Sequence, residues 1–303
     1  MKKPVIKINI VSLYKIWRAI RKWKKQQSRN LKIKSMCFKK IIDWFRPEPD
    51  PEPGLIGKRT LITFGRNKYG GGSDLNGCVN DSNNLANKLT GLFSDFVIRK
   101  FLDYDVTAKK YLEELENAVK QLSSDATILV LADSCFSETS TRLMNSPKHP
   151  TKVRFFDPGL PPRKKNKKMF SKSVINHILI SGCEEHATSA DAYINGKYQG
   201  AFTYFAIKTL KKGITYLQWF TEIKKGLADS GFEQVPTIEG PDRLVNRIVF
   251  EDETLVIHNS SHGSYTYDKN GDEEDGQDEG YYFDRLLIDD EVGAILSNFN
   301  INK

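Results

Sequence analysis

"ATILVLADSCFSE", residues 126–138, is the stretch on which the fold turns. After Thr127 it runs through five apolar residues, Ile128 to Ala132, with no polar alternation. Such a run reads as a strand buried on both faces, which belongs inside a parallel sheet. The polar residues that follow, Asp133, Ser134 and Cys135, then stand at the strand's carboxyl end. Open parallel sheets carry their functional loops there. A cysteine at that place is either a small buried hydrophobe or a nucleophile.

The same pattern recurs outward from it. "RTLITFG" (59–65), "FVIRKFLD" (96–103), "NHILISGC" (176–183), "RIVF" (247–250) and "ETLVIHN" (253–259) read as short strands. Helical spacing marks 74–93 in part, 106–125, 202–213, 215–231 and 289–299. Strands alternating with amphipathic helices predict an α/β fold with a mostly parallel sheet covered on both faces. The 303 residues suffice for one sizeable α/β domain with its own core.

Charge is divided unevenly. Residues 1–46 hold 15 of the 46 Lys and Arg but a single acid, Asp43, so this leader carries +14 and the remainder −6. Leu13, Ile16, Trp17, Ile20 and Trp23 recur at helical spacing among those basic residues. The leader therefore reads as a basic amphipathic segment, suited to an anionic membrane surface or an acidic partner. No nucleic-acid reading module accompanies it, so no specific nucleic acid is expected. "RPEPDPEPG" follows as an extended Pro-acid linker over 47–55, and the main domain is expected over 56–303. Residues 141–172 are rich in Pro, Lys and Arg without periodicity, and read as an exposed basic loop open to proteolysis. No apolar run is long enough to span a bilayer, and no signal peptide is evident. The four cysteines are scattered, which predicts a reducing, cytoplasmic setting, peripheral to membrane at most, with neither disulfides nor a zinc site.

A nucleophilic thiol needs a base. Ser261-His262-Gly263, just past "ETLVIHN", offers one. His262 reaches Cys135 if the two preceding strands lie side by side. The Gly263 N–H, with that of Cys135, then makes an oxyanion hole. Beyond His262, "DKNGDEEDG" places Asp268, Asp272 and Asp275 in a calcium-like rhythm with Glu279 at loop position 12. Its glycines fall at positions 4 and 9 rather than 6, and no helix pair flanks it, which excludes an EF-hand.

Four pieces together, "GCVNDSNNLANKL", "DSC", "SGCEEHATSADAYINGKYQGAFTYF" and "SSHGSYTYDKNGDEEDGQDEGYYFDRLLIDDE", resemble the metacaspases, caspase-like cysteine peptidases. The resemblance spans residues 58–303 and implies a caspase-like three-layer αβα sandwich. It implies Cys135 as nucleophile, His262 as general base, and cleavage after Arg or Lys of peptide and protein substrates. Asp81 and Asp133 fall at the family's acidic pocket positions, and Cys78 and Ser260 at neighbouring ones. Two carboxylates in one pocket suit a guanidinium on physical grounds as well. Asp81 also stands where a helix N-cap could be. Calcium stimulation is implied through Asp278, Asp289 and Asp290, although Arg142 stands at the fourth ligand position. Self-cleavage is expected in the basic loop, at Arg154, Arg163 or a nearby Lys.

The chain departs from the family in order. The His-bearing block normally precedes the Cys strand; here it comes last, within 251–303. The nucleophile loop reads "CFSE" and the base loop "NSSHG". Either the block returns to the Cys strand within one chain or from a neighbour, giving an active peptidase, or the chain is a caspase-like scaffold that binds partners through its leader.

Overall fold

The computed structural model describes residues 59–134, 151–160, 176–183, 189–268 and 276–300. The leader, the linker and Cys135 lie outside the described residues. Among the described residues no helix is long and apolar enough to cross a membrane.

The described residues begin with β1 (Arg59–Gly65), α1 (Cys78–Leu92), β2 (Phe96–Leu102), α2 (Ala108–Val119) and β3 (Thr127–Asp133). A short strand β4 (Thr151–Val153) is followed by β5 (Ile178–Ser181), β6 (Ala190–Ile194) and β7 (Lys197–Gly200). Then come α3 (Ala201–Thr209), α4 (Tyr216–Asp229), β8 (Thr237–Glu239) and α5 (Asp242–Val245). The chain continues through β9 (Thr254–Ser260), β10 (His262–Tyr267), β11 (Gln277–Tyr282), β12 (Leu286–Ile288) and α6 (Asp289–Ser297).

The main sheet runs β2-β1-β9-β3-β5-β8. All neighbours are parallel except β8, which is antiparallel to β5 at one edge. Strand β9 is the decisive member. All seven of its residues are buried, and it pairs with β1 on one side and β3 on the other. A strand buried on both faces must satisfy both rows of backbone groups, so it needs a central slot. β1 and β3 leave one between them.

The short link into that slot works because β8 reverses direction. An antiparallel strand returns the chain to the amino ends of its neighbours, where β9 must start. "RIVF", expected as a strand, is instead part of this crossing. Ile248 makes only an isolated bridge to Thr215, and Phe250 turns the chain at φ 57°. The Phe250 ring meets Phe93, Phe96, Tyr216 and Trp219 at steep angles, between 70° and 90°. That burial outweighs the cost of a left-handed backbone on a bulky residue.

Helices cover both faces, giving the expected three layers. On one face Leu85 and Leu89 of α1, Phe202 and Phe205 of α3, and Trp219 and Ile223 of α4 pack on Leu61, Leu129 and Val256. On the other, Tyr111 and Leu115 of α2 and Val292 and Leu296 of α6 pack on Ile62, Ile128 and Ile257. Two small sheets attach to this body. In one, β6 and β7 form a hairpin through Asn195-Gly196, both at positive φ, with β4 on the outer side of β6. In the other, β10 and β11 form the hairpin that flanks the acidic loop, with β12 beyond. Strands on both sides of that loop, in place of helices, agree with the exclusion of an EF-hand.

The 141–172 stretch, expected as an exposed loop, is described over 151–160 and departs from that expectation. Lys152 and Asp157 are exposed, but β4 pairs with β6 and Arg154 is wholly buried.

Candidate active site

The carboxyl ends of β1, β9 and β3 meet on one rim. Asp133 closes β3 and faces Ser260, the last residue of β9, in register. Ser134 and Ser261 follow side by side, their hydroxyls 3.2 Å apart and both bonded by the Asn259 amide at 2.9 and 3.0 Å. Cys183 Sγ donates to the Ser134 carbonyl at 3.2 Å and pins the same corner. The ends that lead to Cys135 and to His262 are thus tied together within one chain.

Asp81, Asp133, Cys78 and Ser260 are brought together, and Arg154 fills the space between them. Its guanidinium is fully buried. Nη2 donates to Asp81 Oδ2 at 2.7 Å and to Asp191 Oδ1 at 3.2 Å. Nη1 donates to Ser260 Oγ at 2.7 Å and to the Asp133 carbonyl at 3.2 Å, and lies 3.3 Å from Asp133 Oδ2.

Each carboxylate is itself fixed. Asp81 stands a turn into α1, whose N-cap is Gly77, so it does not cap the helix. It accepts instead from the Gly200 N–H at 2.9 and 3.0 Å and from Ser260 Oγ at 2.8 Å. Asp133 accepts from the Thr203 N–H at 3.0 Å, from Thr203 Oγ1 at 2.6 Å and from the Ser189 hydroxyl. Asp191 accepts from the Asn76 N–H at 2.9 Å. Gly200 has to be glycine here, because a Cβ would collide with the Asp133 carboxylate and the Arg154 guanidinium. Burial pushes the Asp81 carboxyl up to about 6, against the pull of Arg154 and with the push of Asp133. Burial also raises the Cys78 thiol well above its ordinary range, so Cys78 is a wall of the pocket and not a nucleophile.

Two residues of this site escaped the sequence reading. Asp191 is the third carboxylate. Its signal was its setting, a charge between buried Ala190 and Ala192 in a strand, which must find a partner. His258 is the other, wholly buried in β9. It bridges Thr63 Oγ1 at 2.8 Å and Thr203 Oγ1 at 3.2 Å, and so supports the hydroxyl that holds Asp133. Burial lowers its pKa to about 4, and it is neutral at physiological pH.

His262 opens β10. Its N–H donates to Tyr69 Oη at 3.0 Å and the Tyr69 ring packs on it at 4.6 Å. Nε2 lies 2.7 Å from the Ser73 carbonyl, which can only accept, so the ring proton sits on Nε2. Nδ1 is buried and makes no close hydrogen bond among the described residues, although the Arg154 backbone, like that of Ser73, favours the protonated ring. Burial holds the ring's pKa below 6.5, leaving Nδ1 a free base at neutral pH. Gly263 donates its N–H to the carbonyl oxygen of Arg154 at 2.9 Å. The residue whose side chain fills the acidic pocket therefore presents its own carbonyl to the backbone donor beside the histidine.

The implied calcium ligands belong to the hairpin and helix that follow His262. Asp278 is buried in β11, and Asp289 and Asp290 open α6. Asp289 is exposed as a residue, yet partial desolvation of its carboxyl, then Asp290 and Asp278, push that group up to about 6. Among the described residues, no group of three or more His, Cys, Asp or Glu side chains is set to hold a metal. The trio is gathered but does not form a finished cage, and Asp272, Asp275 and Arg142 lie outside the described residues.

A family model described as "Caspase domain" matches residues 58–132 and 115–246. Both segments end before the block that carries His262. Among solved structures, protein GSU0716 of Geobacter sulfurreducens is similar at 15% identity and a TM-score of 0.47, over 64% of this chain and 99% of that one. Caspase-1 of Spodoptera frugiperda is similar at 12% identity and a TM-score of 0.41, over 64% of this chain and 90% of that one. No curated protein matches the chain.

Proposed function

The chain belongs to the caspase-domain family, and from that premise we propose that it is a cysteine endopeptidase that cleaves after Arg, and more slowly after Lys. The observation that carries this reading is Arg154. Its guanidinium is enclosed by Asp81, Asp133 and Asp191 while its carbonyl oxygen rests on the Gly263 N–H. Arg is favoured because both Nη atoms are used on different sides of the pocket, and a Lys ammonium reaches only one side.

In this reading the Cys135 sulfur attacks the carbonyl carbon and its proton passes to His262 Nδ1. The oxyanion that forms is held by the Gly263 N–H and the Cys135 N–H. The C–N bond then breaks, and His262 returns the proton to the leaving amine. Water, with His262 again as base, attacks the remaining thioester and releases the carboxylate. Arg154–Phe155 is the bond held in this position, so the first substrate is the chain itself.

The test is incubation of wild type and Cys135→Ala with Arg, Lys and Asp reporter peptides, together with mass analysis of the protein. Cys135-dependent Arg cleavage and a fragment beginning at Phe155 are expected. Arg cleavage that persists in Cys135→Ala overturns the reading.

A further inference from the structure

We propose that the same site carries an aromatic subsite on the leaving-group side, so that its substrates are chains with aromatic residues directly after the cleaved Arg. The inference rests on the peptidase reading and adds a second recognition surface to it.

The segment around Arg154 is held on both sides of the Arg154–Phe155 bond. Before the bond, Thr151–Val153 pairs antiparallel with β6, and the Arg154 N–H donates to the Ser189 carbonyl at 3.2 Å. After it, the chain turns alongside β10. Phe155 bridges Gly263 in parallel, and the Phe156 N–H donates to the Gly263 carbonyl at 2.9 Å. Ser264 Oγ donates to the Phe156 carbonyl at 2.8 Å. These main-chain bonds fix register and direction for any sequence, as in strand addition.

Selectivity comes from what the two side chains meet. The Phe156 ring lies flat on Tyr282, with centroids 3.8 Å apart and planes within 8°. It also packs at a steep angle against the His262 ring, with centroids 6.2 Å apart. Phe155 stacks against Tyr265 at 5.9 Å and 26°. Both tyrosines are built into the strands that position the base. Tyr282 is the cross-strand partner of His262, and Tyr265 is buried. The wall therefore belongs to the same hairpin as the base, and an aromatic residue there gains stacking that a small or charged one does not.

The experiment compares three substrates with the full chain. Two are internally quenched peptides, Thr-Lys-Val-Arg-Phe-Phe-Asp-Pro and Thr-Lys-Val-Arg-Ala-Ala-Asp-Pro. The third is an Arg reporter with a fluorophore directly after Arg. The expected result is kcat/KM about tenfold higher for the Phe-Phe peptide than for the Ala-Ala peptide. Tyr282→Ala should collapse that ratio toward one, and Tyr282→Phe should keep it. A purely structural role for Tyr282 would slow both peptides alike and leave the ratio unchanged. Equal rates on the two peptides, with the reporter cleaved, overturn the subsite alone. A reporter that is not cleaved in a Cys135-dependent way overturns the peptidase reading and the subsite with it.

Discussion

Asp133 and Ser260 face each other in register across neighbouring parallel strands. Each stands two residues before one half of the expected dyad, Cys135 and His262. The block that carries His262 thereby lies beside the strand that leads to Cys135. The two residues also meet chemically, since both hold Nη1 of Arg154.

Replacing Arg154 by Gln should abolish the fragment that begins at Phe155. It should also destabilise the fold by roughly 3–5 kcal/mol at pH 8, because three buried carboxylates lose their cation. The sign of the pH dependence follows from Asp81, already raised to about 6 with Arg154 present. Without the guanidinium it rises further, so the folded variant takes up a proton as pH falls and recovers stability. Urea denaturation at pH 8 and pH 5.5 measures this; an equal deficit at both contradicts it.

Asp191→Asn keeps an acceptor for the Asn76 N–H and removes only the charge. The kcat/KM on an Arg reporter should fall about tenfold or more, through loss of a charge-assisted bond. An unchanged rate would mean that Asp191 serves the Asn76 loop and not the pocket.

The acid limb of kcat/KM should reflect His262, which acts as a base only when neutral. Burial lowers its pKa, so activity rises with pH along a limb that lies below that of an ordinary imidazole. A limb centred at pH 7 or above would exclude Nδ1 of His262, in this environment, as the base.

Asp289→Asn should stabilise the protein at pH 7.5 only modestly, because the residue is exposed and solvent screens its charge. A carboxyl raised to about 6 favours the folded state while protonated, and that contribution is lost as pH rises through 6. The gain should vanish near pH 4. If calcium binds among Asp278, Asp289 and Asp290, it should raise the Tm of wild type more than that of the variant. Thermal melts with and without calcium check both statements.

Much of the candidate site could be proposed from sequence because its signals are local. An apolar run ending in Asp-Ser-Cys, a Ser-His-Gly after another strand, and a basic loop each declare their chemistry over a few residues. Asp191 was hidden because one acid in a strand does not name its partner. Arg154 stood out as a cleavage candidate, but its complete burial could not be read from a loop of Pro, Lys and Arg. "RIVF" misled because three apolar residues in a row fit a strand as well as a turn anchored by Phe250.

The sequence by itself determined the alternation of strands and helices, the buried character of β9 and the residue types of the pocket, since periodicity and side-chain chemistry are properties of short stretches. Tertiary structure alone decided that β9 enters between β1 and β3, and that Arg154 occupies the pocket those strands form. Strand order depends on which backbone donors and acceptors remain unpaired once the rest of the sheet has formed. A buried guanidinium needs carboxylates gathered from three separate elements, and neither condition exists until the chain has folded.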